Sequence, residues 1–308
     1  MVPRTLRLVC LSTVLGLALG CSKTPTTSPE ATTTEPAPAP DLSAEPESPD
    51  VPAMTNTGIL SEQDFAALHQ LTDEAAPPPR GQELEVAGAR MYLSLPEGAT
   101  APLPAVVVIH EWWGLNDHIR HWTDRLAADG YAALAVDLYD GAVATDRETA
   151  LSLMQGVDEA RAREILAAAH QFLAEDPRVS ATKRGVVGWC FGGGWSLQQA
   201  LGQPDLDAAV IYYGRLETDP KALASIAAPV MGVFGNEDAG IPPAAVDAFA
   251  SAMKEAGKTL ELHRYDAQHA FANPSSGRYN PEAAEDAWSH TRAFFAKHLE
   301  GGNQDTKQ

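Results

Sequence analysis

The sequence predicts an α/β fold: a mostly parallel central sheet with helices on both faces. Two observations carry that expectation. Strand-like and helix-like patterns alternate along most of the chain, and repeated βαβ units build a parallel sheet. Several strand-like runs are also continuously apolar, residues 105–110 (AVVVIH) above all, which is how a strand covered on both faces reads.

Taken in order, residues 61–71 read as a short helix, and 83–86 and 90–95 as two antiparallel strands. The buried run 105–110 follows, then a helix over 118–129 that Gly130 stops, then a second buried strand over 131–137. Residues 148–175 are mostly helical in pattern. A strand over 184–188 leads into a helix over 194–201. Residues 208–213, 229–234 and 259–265 are further strands, and 244–257 and 281–299 are helices. There is no internal repeat.

Both ends read differently. Arg4 and Arg7 precede an apolar run over residues 8–19 that is too short to span a bilayer, as in an export signal. That run ends in Ala18-Leu19-Gly20-Cys21, which resembles the bacterial lipobox. The resemblance implies cleavage before Cys21 and lipidation of that cysteine, with Ser22 compatible with sorting to the outer membrane of a Gram-negative cell. Ala18 departs from the usual leucine, and the plainer alternative is an ordinary secretory signal cut nearby. Either way Cys10 is removed. Residues 22–56 are rich in Pro, Thr, Ala, Ser and Glu and poor in large apolar side chains. Such a segment cannot offset its ordering entropy. The expected organisation is therefore a signal over 1–20, a tether over 21–56, one folded domain over 57–300 and a disordered tail over 301–308, anchored in the cell envelope through Cys21.

Composition excludes some functions. Lys plus Arg is 22 against 41 for Asp plus Glu, a formal net charge of −19. Nucleic acid and anionic lipid both need a basic surface. The three cysteines, Cys10, Cys21 and Cys190, lie in unrelated contexts with no CxxC pair, so neither a disulfide framework nor a cysteine zinc site is expected.

The segment that carries chemistry is Gly188-Trp189-Cys190-Phe191-Gly192-Gly193-Gly194, set between a strand and a helix. The G-x-S-x-G elbow of the α/β-hydrolase fold occupies that context, here with cysteine in place of serine. Glycines flank such a nucleophile because the sharp turn leaves no room for side chains. Cys190 then sits at a helix N-terminus, where the dipole favours a thiolate and the Phe191 N–H faces a developing oxyanion. A buried structural cysteine is the competing reading. Two later segments weigh against it. Asp238 lies in a loop after the strand ending at Phe234, and His269 lies between the last strand and the last helix, so nucleophile, acid and histidine come in the order of that fold. Glu237 is the rival acid. The remaining histidines, His69, His110, His118, His121, His170, His263, His290 and His298, read as surface or packing residues, and no metal site is expected.

From about Gln82 to Leu299 the chain resembles the dienelactone hydrolase family. The resemblance is carried by His110-Glu111-Trp112-Trp113-Gly114-Leu115-Asn116, Asp137-Leu138-Tyr139, the Cys190 elbow, Asn236-Glu237-Asp238 and Gly277-Arg278-Tyr279-Asn280. It implies a catalytic triad of Cys190, Asp238 and His269, with Glu111 in contact with the nucleophile and the N–H of Trp112 as second oxyanion donor. It implies no cofactor. The prototype enzymes hold a lactone carboxylate with two arginines. Arg147 stands about where one is expected, but Asn273 occupies the place of the other, and Arg278 is a substitute at a different spacing. Trp113 joins the expected substrate contacts. The expected function is hydrolysis of a lactone or small ester by a monomeric, lipid-anchored enzyme. The alternative is a catalytically idle domain that binds an envelope ligand or partner.

Overall fold

The computed structural model describes Thr55 and residues 58–300. The expected signal, Cys21, nearly all of the tether and the 301–308 tail lie outside the described residues.

Eight strands form one sheet: β1 (Gln82–Val86), β2 (Ala89–Ser94), β3 (Ala105–Ile109), β4 (Ala132–Val136), β5 (Arg184–Trp189), β6 (Ala208–Tyr212), β7 (Val230–Gly235) and β8 (Leu260–Tyr265). Their spatial order is β1-β2-β4-β3-β5-β6-β7-β8. β1 and β2 pair antiparallel with their neighbours, and all pairings from β4 to β8 are parallel. The mixed, mostly parallel sheet expected from the sequence is present, and β3, β4 and β6 are buried at every position.

The helices are α1 (Glu62–Leu68), α2 (Asp117–Ala128), α3 (Arg147–Gln155), α4 (Glu159–Glu175), α5 (Phe191–Gly202), α6 (Pro220–Leu223), α7 (Pro243–Glu255) and α8 (Pro281–Leu299). Most begin where a short polar side chain takes up an orphan N–H: Asn116 accepts from Ile119, Asp158 from Ala160 and Arg161, and Asn280 from Ala283. The mostly helical stretch expected over 148–175 is two helices. It breaks at Gly156, and Asp158 caps the new start.

All the strands from β3 onward run the same way, and only β2 opposes β4, so their carboxyl ends share one edge. Glu111 follows β3, Cys190 follows β5, Asp238 follows β7 and His269 follows β8. Ligands of open α/β sheets bind outside that edge. The register sets Ile109 beside Gly188, so the ends of β3 and β5 are adjacent.

Candidate active site

The turn between β5 and α5 is the tightest feature of the site. Cys190 has φ 55° and ψ −117°, a left-handed conformation that costs a non-glycine residue on the order of 1–3 kcal/mol. The residues two positions before and after it must be glycine. A Cβ on Gly188 would lie 2.1 Å from the Gly192 carbonyl oxygen, and one on Gly192 would lie 2.3 Å from that of Ile109. Phe191 opens α5, so its N–H has no partner within that helix.

Asp238 is buried and saturated. Its Oδ1 accepts from the N–H groups of Gly240 at 2.8 Å and Ile241 at 3.0 Å, and its Oδ2 accepts from Nδ1 of His269 at 2.7 Å. Burial opposes its charge, but His269 and these hydrogen bonds outweigh burial and hold the carboxyl below its ordinary range. Burial likewise opposes the His269 imidazolium. The Asp238 carboxylate, with the Cys190 sulfur beside the ring, overcomes it and carries the pKa well above the usual value. Glu237, the rival acid, instead lines a cavity with Gln268 and Arg278.

The unexpected member is His69, at the C-cap of α1. Its Nε2 lies 3.6 Å from Sγ of Cys190, and its Nδ1 donates to the carbonyl of Phe65 at 2.9 Å. Far from being a surface or mere packing residue, it is 3 % exposed, lies in contact with the nucleophile and has its ring 4.2 Å from that of Trp112. Burial, followed by the charge of His269, depresses its pKa well below the ordinary value, which keeps the ring neutral. A lone histidine on a seven-residue helix carries no pattern of its own. The one available signal was Phe65 four positions earlier, which makes an apolar pair with it on one face.

Glu111 is buried and accepts from the Tyr213 hydroxyl at 3.3 Å and from the Asn273 side-chain amide. The recorded side-chain partner of Cys190 is His69 rather than Glu111. Burial raises the Glu111 pKa to about 7, against the opposing pull of His269 and the two hydrogen bonds. Asn273, where the prototype has an arginine, is thus a buried strut. Its Oδ1 accepts from the N–H and hydroxyl of Ser275 while its amide holds Glu111.

The remaining expected residues are spread more widely. Trp112 and Trp113 are buried after β3 with ring centroids 4.8 Å apart. Arg147 reaches the site only through the backbone, its Nε donating to the carbonyl of His69. Arg278 donates to Gln268 and lines a cavity of about 550 Å³ with Gln70, Gly277 and Tyr279.

The comparisons with known proteins agree with this fold. Residues 89–299 match the profile of the Dienelactone hydrolase family. Two relatives carry the name "Putative carboxymethylenebutenolidase". The one from Methylorubrum extorquens is 33 % identical over 223 residues, covering 67 % of this chain and 76 % of its own. The one from Saccharolobus solfataricus is 34 % identical over 245 residues, covering 68 % and 93 %. Among solved structures, the dienelactone hydrolase-like promiscuous phosphotriesterase P91 from metagenomic libraries superimposes with a TM-score of 0.65 at 26 % identity, over 71 % of this chain and 98 % of that one. The matched segment begins at β2, so α1 and His69 precede it.

Proposed function

This chain belongs to the dienelactone hydrolase family, and from that premise we propose that it is a cysteine-dependent hydrolase of a lactone or small carboxylic ester. The observation that carries the reading is the buried relay at the carboxyl edge of the sheet. Asp238 grips Nδ1 of His269 at 2.7 Å, and the other nitrogen of that ring lies within 4.8 Å of the Cys190 sulfur.

Asp238 fixes the tautomer and orientation of His269 and stabilises its positive charge. The Cys190 thiolate attacks the substrate carbonyl, and its former proton resides on Nε2 of His269. The tetrahedral oxyanion is held by the N–H of Phe191 at the head of α5 and by that of Trp112. Collapse expels the alkoxide, which takes the proton from His269. Water, deprotonated by His269, then cleaves the thioester and regenerates the thiol. The ring of His69 lies against the sulfur, so productive binding requires it to swing aside. Phe191, Trp112 and Trp113 favour an apolar or aromatic acyl group.

A panel of p-nitrophenyl esters and lactones, assayed with the wild type and with Cys190→Ala, tests the reading. Turnover of at least one substrate that disappears in the variant is expected. Equal turnover by both proteins would remove Cys190 from the mechanism. We further propose that the enzyme works as an envelope lipoprotein held through Cys21, on the strength of the lipobox-like Ala18-Leu19-Gly20-Cys21.

A further inference from the structure

We propose that His69, Cys190 and His269 form a binding site for one thiophilic divalent cation, zinc above all, and that the bound ion withdraws the nucleophile from hydrolysis. The three donor atoms, two imidazole nitrogens and a sulfur, lie within 4.8 Å of one another. The residues are 3 %, 4 % and 2 % exposed, respectively.

Both rings are fixed in the form that a metal needs. Nδ1 of His69 donates to the Phe65 carbonyl, and Nδ1 of His269 donates to Asp238. Nε2 of His69, whose ring is neutral, and Nε2 of His269, once that ring gives up its proton, therefore both turn a lone pair toward the sulfur. A histidine whose far nitrogen is held by a carbonyl or a carboxylate is the usual supporting arrangement of a metal ligand. Nε2 of His269 is moreover buried with no side-chain partner besides the Cys190 sulfur, a polar atom aimed into the cluster at the cost of its own solvation.

The spacing of one pair already fits. With Zn–S of about 2.3 Å and Zn–N of about 2.05 Å, a tetrahedral ion separates sulfur from nitrogen by roughly 3.5 Å. The Cys190–His69 separation is 3.6 Å. One thiolate and two imidazoles select zinc or a comparably soft ion over magnesium or calcium, and three protein ligands leave a fourth position for water. The Cys190–His269 pair holds one proton between its two atoms in the metal-free protein. The complex contains thiolate and neutral imidazole, so one proton leaves to solvent for each ion bound, and nothing is oxidised or reduced. His69 lies before the family-matched segment, on α1, so the donor set joins that helix to the two residues that follow β5 and β8. The inference uses the positions of Cys190 and His269, not their hydrolytic roles.

The full chain, stripped with a chelator, is titrated with Co²⁺ by absorption spectroscopy and with Zn²⁺ by calorimetry in two buffers of different ionisation enthalpy. One ion per chain, a thiolate-to-cobalt charge-transfer band, tetrahedral visible bands and release of one proton are expected. Cys190→Ala should abolish the charge-transfer band. His69→Ala and His69→Gln should each weaken binding by more than the roughly 10–100-fold that follows loss of an outer-sphere partner. Stoichiometric Zn²⁺ should also protect wild-type Cys190 from iodoacetamide, which keeps the test alive if both His69 variants misfold.

Absence of binding, absence of protection, or binding unaffected by the His69 or Cys190 variants overturns the proposal. So does loss of binding in His290→Ala, which would place the ion on the separate Glu261, His263 and His290 cluster. A chain that hydrolyses nothing yet binds the ion at Cys190 would sink the hydrolytic reading and leave this one standing.

Discussion

Nε2 of His69 and Sγ of Cys190 lie 3.6 Å apart although 121 residues separate them in the chain. The ring is wedged against Trp112, and Arg147 holds its carbonyl, so the thiol has no open approach on that side. Replacing the ring with a methyl group opens that approach. His69→Ala is expected to raise the rate of Cys190 alkylation by iodoacetamide by about tenfold at fixed pH, because access and thiolate character together set the reactivity of a cysteine. An unchanged rate would mean that the ring does not limit access.

The three members of the relay should behave as a unit. Cys190→Ala and His269→Ala are each expected to lower kcat by about 10³-fold or more, with the double variant little worse than either. Asp238→Asn should cost less than Cys190→Ala, and Glu237→Gln should cost little, because only Asp238 bonds the histidine. Steady-state kinetics on the best ester of the panel reads all five variants. Near-normal activity in Asp238→Asn with loss in Glu237→Gln would reassign the acid.

Glu111 gives the fold a pH dependence whose sign is fixed by its raised pKa. The folded chain holds a proton on this carboxyl up to about pH 7, against an ordinary value of 4.5. That contribution to stability is complete below 4.5 and is lost as the pH rises through 7. Glu111→Gln is permanently neutral and can keep both partners, accepting from Asn273 and donating to the Tyr213 hydroxyl. Its stability relative to wild type should therefore improve between about pH 5 and pH 8, by up to roughly 3 kcal/mol at 1.36 kcal/mol per unit. Urea denaturation at the two pH values measures it, and a constant difference would show that Glu111 is ionised throughout.

The elbow tolerates no side chain at Gly188 or Gly192. Gly192→Ala would press a methyl group to 2.3 Å from the Ile109 carbonyl oxygen, backbone against backbone. A loss of about 2–4 kcal/mol is expected, read as a lowered Tm, with activity falling further because Cys190 itself is displaced.

For the envelope proposal, Cys21→Ala should shift the protein from the membrane fraction to the soluble or unprocessed one, since acyl chains would supply the membrane affinity. A wild-type protein found wholly in the soluble periplasm would end that reading.

The sheet was legible because its strands announce themselves. Ala105–Ile109 and Ala132–Val136 are apolar at every position, and a strand covered on both faces allows little else. Helix α6 escaped because Pro220–Leu223 is a single turn, too short to show a period. The break between α3 and α4 escaped because one glycine inside a long helical pattern is often tolerated. Cys190, Asp238 and His269 could be chosen from chain order and strand-loop context alone, since the turns that hold them are local. His69 could not. Its significance lies in a contact made by folding back across the sheet edge, and the neighbouring Phe65 hints only at a buried face, not at the sulfur. The position of Glu111 was readable, but its partners were not, because Tyr213 and Asn273 lie 102 and 162 residues away.

Residues 80 and 81, just before β1, are tied to buried groups. The N–H of Arg80 donates to the Asp124 carboxylate, which also accepts from Tyr92 and Ser94, and the N–H of Gly81 donates to the Tyr92 hydroxyl. A chimera or trimmed fragment spliced at residue 89, where the family-matched segment begins, would lose more than an appendage. It would strip β1 from the edge of the sheet, leave Asp124 short of a donor in the interior, and take with it the imidazole that touches the sulfur. Recombination boundaries for this protein therefore belong upstream of α1, so that homology blocks borrowed from relatives keep the helix that closes over their shared chemistry.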